Sequence, residues 1–301
     1  MDNAVDIQKS ADLFVTEVRA LLPRYKEDDV LNTDQSGLEL EVHSSRTLSH
    51  QGEKTTLSTV RSKNAATHSY TVQPMISLSG KVVGPVLLCL KEPTGRTSDN
   101  IKNNLFKAND VVITCSASGK LTTSLVEYWR DNVLIPSIAC SSRTLLLSDS
   151  WTGQGDGKGI YEKVKGCKRM EIPPKTTAKI QPLDVFFNHE YKVIARRVYD
   201  RVILDDIDIQ MAQRSNLIRL HSLIHNQISA PIFALMIRYA WYKSGYLDNH
   251  PGQFQMVTDV CFKFKQSHCD TSSCDSFSFI RCSYCSRILC FDHFFVEYHM
   301  H

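Results

Sequence analysis

The sequence lacks the long apolar runs that would cross a membrane. Of its 301 residues, 42% are hydrophobic, but no run approaches the roughly 20 apolar residues that span a bilayer. The longest candidates, around residues 82–90 and 230–237, are far too short. The chain starts with the letters MDNA and has no hydrophobic signal region there. We therefore predict no membrane partner and expect an intracellular protein.

Charge of one sign, glycine and proline are also scarce. The formal net charge is +3, charged residues make up 22% of the chain, and there are 13 glycines and 10 prolines. Such a composition excludes fibrous repeats and extended disorder. A weakly positive charge permits nucleic-acid binding without requiring it. A chain of this length can bury a sizeable core, so we expect one large domain with a small appendage.

Cysteines are present but unevenly placed. Six of the ten lie at or after Cys261, and Cys89, Cys115, Cys140 and Cys167 are scattered through the rest. Scattered cysteines in a reducing compartment are usually small buried hydrophobes. A dense group accompanied by histidines is more typical of a metal site than of a disulfide framework.

The alternation of strand and helix signals predicts an α/β fold with one mixed sheet flanked by helices. Val30 to Asp34, continuing to Leu38, Leu40 and Val42, has the pattern of a strand. The segments 70–79 and 82–90 flank a Ser-Gly turn and predict a hairpin. We divide the chain into an N-terminal helical linker (1–29), an α/β domain (30–205), a helical extension (206–260) and a C-terminal cysteine/histidine module (261–301).

Two further patterns favour structural explanations. Residues 153–159 are rich in glycine but lack the spacing of a phosphate-binding loop, so we expect an ordinary loop. His221 and His225 lie four residues apart in a helical pattern. We interpret them as part of a partly exposed helix face rather than as a metal pair.

Three aspartates fall where predicted strands end or a helix begins. Asp34 follows the first strand, and Asp149 follows the apolar run 145–147, which has the character of a strand covered on both faces. Asp184 comes just after Pro182, a residue suited to the first turn of a helix. Catalytic groups gather at strand ends in sheets of this kind. Each aspartate alone can be explained by a structural role as a turn former or a helix cap, but the set of three indicates a shared site.

The segments around these aspartates resemble the DDE transposases of the mariner/pogo (Tigger-like) superfamily. The matching segments read NTDQSG at 32–37, LLLSDSW at 145–151 and IPPKTTAKIQPLD at 172–184. The last two acids are separated by 34 residues, the spacing typical of mariner enzymes. The resemblance covers roughly residues 10–205.

This resemblance implies an RNase H-like fold in which Asp34, Asp149 and Asp184 bind Mg²⁺ or Mn²⁺. Carboxylates, water and phosphate oxygens are the ligands that Mg²⁺ prefers, and paired divalent ions suit phosphodiester cleavage. The implied activity is DNA strand cleavage followed by strand transfer. The expected partners are then DNA and a second copy of the chain, and the expected location is the nucleus, although no targeting signal is evident.

A group of basic residues follows the third acid. Lys192, Arg196, Arg197 and Arg201 fall on the predicted helix after Asp184 and could share one face. Two interpretations remain open for them. They are either a solvated helix face or contacts to the DNA backbone, where Lys and Arg supply affinity that does not depend on base sequence.

The tail holds eight potential zinc ligands, enough for two tetrahedral sites. An interleaved pairing is our prediction for them: Cys269, Cys274, Cys290 and His293 at one site, and Cys282, Cys285, His299 and His301 at the other. Cys261 and His268 remain as alternates. A segment this short would draw most of its folding free energy from the metal. The arrangement resembles the cysteine-rich domain that ends piggyBac-type transposases, with a wider first pair and two final histidines as departures.

Only 33 residues precede Asp34, too few for the helix-turn-helix modules that precede the first acid in the family. We therefore expect specific recognition of transposon ends to be missing from this chain. Two alternatives to an active transposase core stay open. One is a transposase-derived, non-catalytic protein that binds DNA or chromatin, and the other is a zinc-dependent interaction module on an inert scaffold.

Overall fold

The computed structural model describes residues 4–39, 68–154, 159–265 and 268–301. Leu40 and Val42 of the predicted first strand and residues 155–158 of the glycine-rich segment lie outside the described residues. In the described residues the strands are β1 Val30–Thr33, β2 Ser36–Glu39, β3 His68–Gln73, β4 Met75–Ser77, β5 Val86–Lys91, β6 Val111–Ser116, β7 Thr144–Ser148, β8 Cys167–Glu171, β9 Ile280–Arg281 and β10 Ile288–Leu289.

Helices cover the strands on both faces. The α-helices of the described residues are α1 Ala4–Leu21, α2 Asp99–Asn104, α3 Thr123–Trp129, α4 Ile135–Ser137, α5 Thr177–Ile180, α6 Asn188–Leu204, α7 Arg214–Ile228 and α8 Ala234–Lys243. A wider helical turn, Leu183–Phe187, joins α5 to α6. None of the helices in the described ranges is both long and apolar enough to pass through a membrane.

The main strands form one mixed layer made of two four-stranded sheets. One sheet has the order β4-β1-β7-β8 and the other has the order β2-β3-β5-β6. Strands β1 and β7, β7 and β8, and β5 and β6 run parallel, whereas β3 is antiparallel to β2 and β5. Because β1 leads directly into β2, and β3 into β4, the two sheets continue into each other. The predicted α/β class with a mixed sheet flanked by helices is confirmed.

Strand β7 shows how the sheet divides the core. All five of its residues are buried. Leu145 and Leu147 pack into the larger apolar core, and Leu146 packs into the smaller one on the opposite face. Side chains alternate between the two faces of a strand, so an unbroken leucine run fits a strand covered on both sides, as the sequence predicted.

The larger core joins parts of the chain that are far apart in sequence. It includes Ala11 and Val18 of α1, Ile194 of α6, Ile224 of α7, and Phe294 near the C-terminus. Leu13, also in α1, is 62% exposed and stays outside this core. The cysteine-rich tail is therefore packed onto the same core as the sheet.

Candidate metal centres and nucleic-acid interface

The first aspartate lies at a gap in the sheet. The segment β1–β2 pairs with the segment β3–β4. This pairing stops after Thr33↔Met75 and resumes at Ser36↔Val72, with the same register on both sides. Pro74 lies between β3 and β4 at this point, and proline has no N–H to donate to a neighbouring strand. Asp34 therefore sits on a backbone segment that no ladder hydrogen bond holds in line.

The three predicted aspartates converge at this gap. Asp34 is only 8% exposed, and burial raises its pKa well above the usual range. The negative charge of Asp184, a hydrogen bond with that carboxyl group and the charge of Asp149 raise it further. The pKa of Asp149 is also raised, chiefly by burial. Asp149 is half-buried and Asp184 is exposed. A group of acids that repel one another around a buried carboxyl group is an arrangement that a bound cation relieves.

Neutral amide groups donate hydrogen bonds to two of the acids. Gln154 Nε2 donates to Asp149 Oδ1, and Asn188 Nδ2 donates to Asp184 Oδ1 at 3.3 Å. An amide donor holds a carboxylate in place without neutralising its charge. The amide donors therefore leave the carboxyl groups able to bind a divalent cation.

Gln181 provides a structural test of whether the site fits Mg²⁺. Its side chain is fully buried, and neither amide atom has a hydrogen-bond partner among the described residues. The same amide lies close enough to Asp34 to lower the pKa of that carboxyl group. Buried polar groups normally have partners. Carboxylate and amide oxygens are the ligands that Mg²⁺ and Mn²⁺ prefer, so the chemistry of these side chains fits either ion.

The backbone behind Asp149 is fixed from the neighbouring strand. Arg169 of β8 donates to the carbonyl oxygen of Asp149 at 2.9 Å and to Ser148 Oγ at 2.8 Å. Its guanidinium also pairs with Glu171 at 2.9 Å and lies over the ring of Tyr161, 5.1 Å from the ring centroid. Arg169 thus holds the main chain of the second acid in place, and its positive charge partly offsets the rise that burial causes in the pKa of Asp149.

One buried side chain, that of Asn32, connects the segments of all three acids. Asn32 Nδ2 donates to the carbonyl oxygen of Leu147 at 3.0 Å, and Asn32 Oδ1 accepts from the amide nitrogen of Leu183 at 3.1 Å. Leu147 precedes Asp149 by two residues and Leu183 directly precedes Asp184. Asn32 lies in the motif segment 32–37, but its spacing gave no signal for this role.

We expect Asn32→Leu to separate these segments. The substitution removes both hydrogen bonds and leaves two buried backbone groups unpaired, which costs about 2–4 kcal/mol of unfolding free energy. Urea unfolding followed by circular dichroism measures this loss. The control is Asn132→Leu, because Asn132 is exposed and donates to a single carbonyl oxygen of its own helix. A loss for Asn32→Leu no larger than that of the control would contradict the linking role.

The four basic residues after the third acid do not share one environment. Lys192 is half-buried; burial and the charge of Arg196 lower its pKa, whereas the carboxylates of Asp184 and Asp34 raise it. Arg197 instead lies over the ring of Phe262, 5.4 Å from the ring centroid. Lys192 therefore lies near the acid cluster, and Arg196 lies near Lys192.

Arg201 has a different partner. Its Nε atom pairs with Asp205 at 2.7 Å within the same helix. Such exposed or partly exposed pairs contribute little to stability. Arg201 lies more than two helical turns beyond Lys192 and is already paired with Asp205.

The first cysteine/histidine cluster contains Cys269, Cys274, Cys290 and His293. His293 Nδ1 lies 3.4 Å from Cys269 Sγ and 3.0 Å from Cys290 Sγ, and Cys274 Sγ lies 4.0 Å from Cys290 Sγ. The edges of a tetrahedron of zinc ligands measure about 3.3–3.8 Å for zinc bonds of about 2.0–2.3 Å. The spacing of the four ligand atoms therefore fits one zinc ion.

Two details of this cluster favour a metal. Burial raises the pKa of the Cys269 thiol, but hydrogen bonds from Thr271 and Cys290 outweigh burial and lower this pKa to about 6. The thiolate is the form that binds metal. On the far side of the His293 ring, Nε2 lies 3.5 Å from the carboxylate of Glu297. A carboxylate on the second ring nitrogen is the usual outer partner of a zinc-bound histidine.

The second cluster contains Cys282, Cys285, His299 and His301. Cys285 Sγ lies 3.4 Å from His299 Nε2, which lies 3.0 Å from His301 Nε2. The structure thus brings together the same two sets of four that the sequence predicted. Ligands alternate along the chain between the two clusters, because the β9–β10 hairpin carries Cys282 and Cys285 away from the first. Cys261 and His268 belong to neither cluster.

The second cluster is joined to helix α7. Gln227 Nε2 donates to Cys282 Sγ at 3.6 Å, and Gln227 Oε1 accepts from the amide nitrogen of Ser283 at 2.8 Å. Asn226 Nδ2 donates to the carbonyl oxygen of His301 at 2.7 Å. The sequence analysis did not identify either α7 residue, because nothing in a helical pattern shows which side chains meet a distant segment.

The histidines of α7 correct one expectation. His221 is completely buried and its ring nitrogens lie 3.0 Å from the hydroxyls of Tyr191 and Tyr70. Burial lowers its pKa to about 3. His225 is also buried and faces the carbonyl oxygen of Gly84 at 2.9 Å. The prediction of a partly exposed face was wrong, because His221 lies between β3 and α6 and His225 faces the loop before β5.

Comparison with known proteins assigns the C-terminal part of the chain. Residues 241–301 match the Tc5 transposase C-terminal domain. This matched segment contains both cysteine/histidine clusters. The match names a Tc5-type domain and not the piggyBac-type domain whose resemblance the sequence analysis noted. No curated protein matches the chain significantly in sequence.

Among solved structures the chain is similar to Mos1 transposase. The Mos1 strand transfer complex matches at 9% identity and a TM-score of 0.42, covering 83% of this chain and 64% of the Mos1 chain. The mariner Mos1 paired end complex with Mg matches at 11% identity and a TM-score of 0.43, covering 84% and 64%. This chain therefore spans less than two thirds of the Mos1 chains that it matches.

Proposed function

We propose that this protein is a DDE-type transposase core that cleaves and joins DNA strands with the help of divalent metal ions. The observation that carries the proposal is the convergence of Asp149 and Asp184 on the buried carboxyl group of Asp34 at the gap in the sheet. The Tc5-type C-terminal segment supports the same class of protein.

The proposed chemistry follows from the ligand set. Asp34, Asp149 and Asp184 would hold Mg²⁺ or Mn²⁺, with Gln181 beside them. Divalent ions, when bound, would stabilise the attacking and leaving oxygens of a phosphodiester. Gln154 and Asn188 orient two of the carboxylates, and the burial of Asp34 strengthens its interaction with an ion because the local dielectric constant is lower than that of water.

The basic residues suggest how DNA would approach. Lys192 lies beside the acid cluster and Arg196 lies near Lys192, so they would contact the phosphates that flank the cleaved bond. Arg197 and Arg201 would contact the backbone further along the helix, after leaving Phe262 and Asp205. Cations that neutralise phosphates supply affinity for DNA of any sequence.

The two cysteine/histidine clusters would each bind one Zn²⁺ ion in a structural role. Closed sets of four protein ligands are typical of structural zinc. In the proposed function this module holds α7 in place behind the sheet. A DNA-acting protein of this kind would work in the nucleus, and joining two DNA ends would involve a homodimer.

Strand nicking tests the proposal. We expect the protein to nick supercoiled plasmid in Mg²⁺ or Mn²⁺ and not in buffer containing EDTA. Ca²⁺ should support DNA binding with little cleavage, since it tolerates irregular oxygen geometry that does not align the reacting atoms. Gel electrophoresis of the nicked circle measures the rate.

The alternative of a non-catalytic DNA-binding protein predicts a different result. Such a protein would retard DNA in a gel shift equally with and without Mg²⁺ and would leave the plasmid intact under every metal condition. That outcome, in a preparation with both zinc sites loaded, would contradict the proposed function.

A further inference from the structure

A pocket that the acid cluster does not use lies at the free edge of the sheet. It is formed around β6, the edge strand, by the loop after β5, the segment after α2 and Tyr128 of α3. Its volume is about 600 Å³, within the range of about 300–1,000 Å³ that small-ligand sites occupy. We call it the edge pocket.

The edge pocket is basic. Arg96, Lys102 and Lys107 line it, and no acidic residue is among the described residues of its wall. Asp99 stands at the rim, 3.5 Å from Lys102, and both of these side chains are exposed. Three cations around one cavity attract an anion, and the field of a concave surface strengthens that attraction.

Aromatic rings complete the lining. The Tyr128 ring is 37% exposed, and its hydroxyl reaches the carbonyl oxygen of Ile113 only at 3.4 Å. Phe106 forms the opposite side. Aromatic faces beside cations are the combination that single-stranded nucleic acid uses, because the bases stack on the rings and the phosphates meet the cations.

The wall that carries Phe106 is held in place by the Tc5-type segment. The Phe106 ring meets Tyr298 edge to face with centroids 4.7 Å apart, and Arg219 lies 4.7 Å from its centroid. The amide nitrogen of Phe106 also donates to Ser215 Oγ at 3.1 Å. These contacts fix the ring before any ligand arrives, and preorganisation of this kind increases affinity.

The position of the edge pocket suits a strand that has left a duplex. Strand β6 is three strands from β1 in the mixed layer, which places the pocket roughly 15–20 Å from the acid cluster. That distance corresponds to about five nucleotides at about 3.4 Å per nucleotide.

We propose that the edge pocket binds an unpaired nucleotide of a DNA strand, with the base against Tyr128 and the phosphate at Arg96 and Lys107. The inference rests on the proposed function for its ligand, since DNA is the anion that this protein would handle. The ring and the three cations match a base and a phosphate better than they match an acidic peptide, which would leave the ring without a partner.

Photocrosslinking tests the proposal directly. An oligothymidylate that carries 5-iododeoxyuridine is bound in metal-free buffer, irradiated and mapped by mass spectrometry. We expect the crosslink on Tyr128 or Phe106. In fluorescence anisotropy with the same probe, Tyr128→Ala should lower affinity about tenfold, as expected for the loss of one stacking platform. Tyr128→Phe should bind like the wild type.

Charge reversal provides the second arm. Arg96→Glu combined with Lys107→Glu should lower affinity at least tenfold at about 0.1 M salt and reduce its salt dependence. The matched control reverses Lys163 and Lys165, two exposed lysines in the turn before β8 at the opposite edge. Circular dichroism checks that every variant is folded.

The outcomes separate the pocket from the catalytic proposal. A crosslink outside the edge pocket, or equal losses in the pocket and control variants, would overturn the inference even if the protein nicks DNA. Tighter binding of polyglutamate than of the oligonucleotide would assign the pocket to an acidic peptide and overturn it as well. A crosslink on Tyr128 in a protein that never nicks DNA would support the pocket and contradict only the catalytic proposal.

Discussion

Asp149→Asn is expected to lower the rate of strand nicking at least about a thousandfold. The substitution keeps the size of the side chain and its contact with Gln154 but removes the charge that would hold a divalent cation. Metal stabilisation of the reacting oxygens is worth several kcal/mol, and each 1.36 kcal/mol changes a rate about tenfold. Initial rates of plasmid nicking in excess Mg²⁺ measure the effect.

The matched control for this variant is Asp208→Asn. Asp208 is exposed and lies beyond α6, away from the acid cluster, so the same chemical change should leave nicking within about twofold of the wild type. If Asp149→Asn retained the wild-type rate while the purified protein still depended on Mg²⁺, the metal would be bound elsewhere and the site assignment would be wrong.

Removing zinc is expected to unfold the C-terminal segment. Apparent binding free energies of structural zinc are about 10–16 kcal/mol, whereas most of the tail lies in short strands and turns. We expect about two zinc ions per chain by elemental analysis, one for each cluster, and about one in Cys282→Ser. A zinc-selective chelator in excess Mg²⁺ should make residues 268–301 accessible to protease and increase amide exchange in α7.

Cys140→Ser is the control for the zinc prediction. Cys140 is exposed and belongs to neither cluster, so this variant should keep the full zinc content and the wild-type melting temperature. Zinc content unchanged in Cys282→Ser, or a tail that stays resistant to protease after chelation, would show that the second cluster is held by packing alone.

The sequence predicted the features that depend on short spacings. The eight tail ligands could be grouped because a Cys-x2-Cys or Cys-x2-His pair can reach only one ion. The unbroken apolar run before Asp149 indicated a strand covered on both faces, and its residues do enter both cores. The mixed α/β class followed from the alternation of strand and helix patterns.

The features that the sequence could not reveal depend on contacts between distant segments. Asn32 acts on Leu147 and Leu183, which are more than a hundred residues away in the chain. His221 is buried because it lies between Tyr70 of β3 and Tyr191 of α6, and an amphipathic pattern does not show which other segments cover a helix. The edge pocket likewise combines four segments between residues 95 and 128.

The central claim is that Asp34, Asp149 and Asp184 together bind divalent cations, and Mn²⁺ binding measures it most directly. Electron paramagnetic resonance counts the Mn²⁺ ions bound to zinc-loaded protein, without DNA and without reference to activity. The account predicts binding that is weakened at least tenfold in Asp34→Asn, Asp149→Asn and Asp184→Asn alike, and that is unchanged in Asp208→Asn. Wild-type Mn²⁺ affinity in any of the three variants would contradict it.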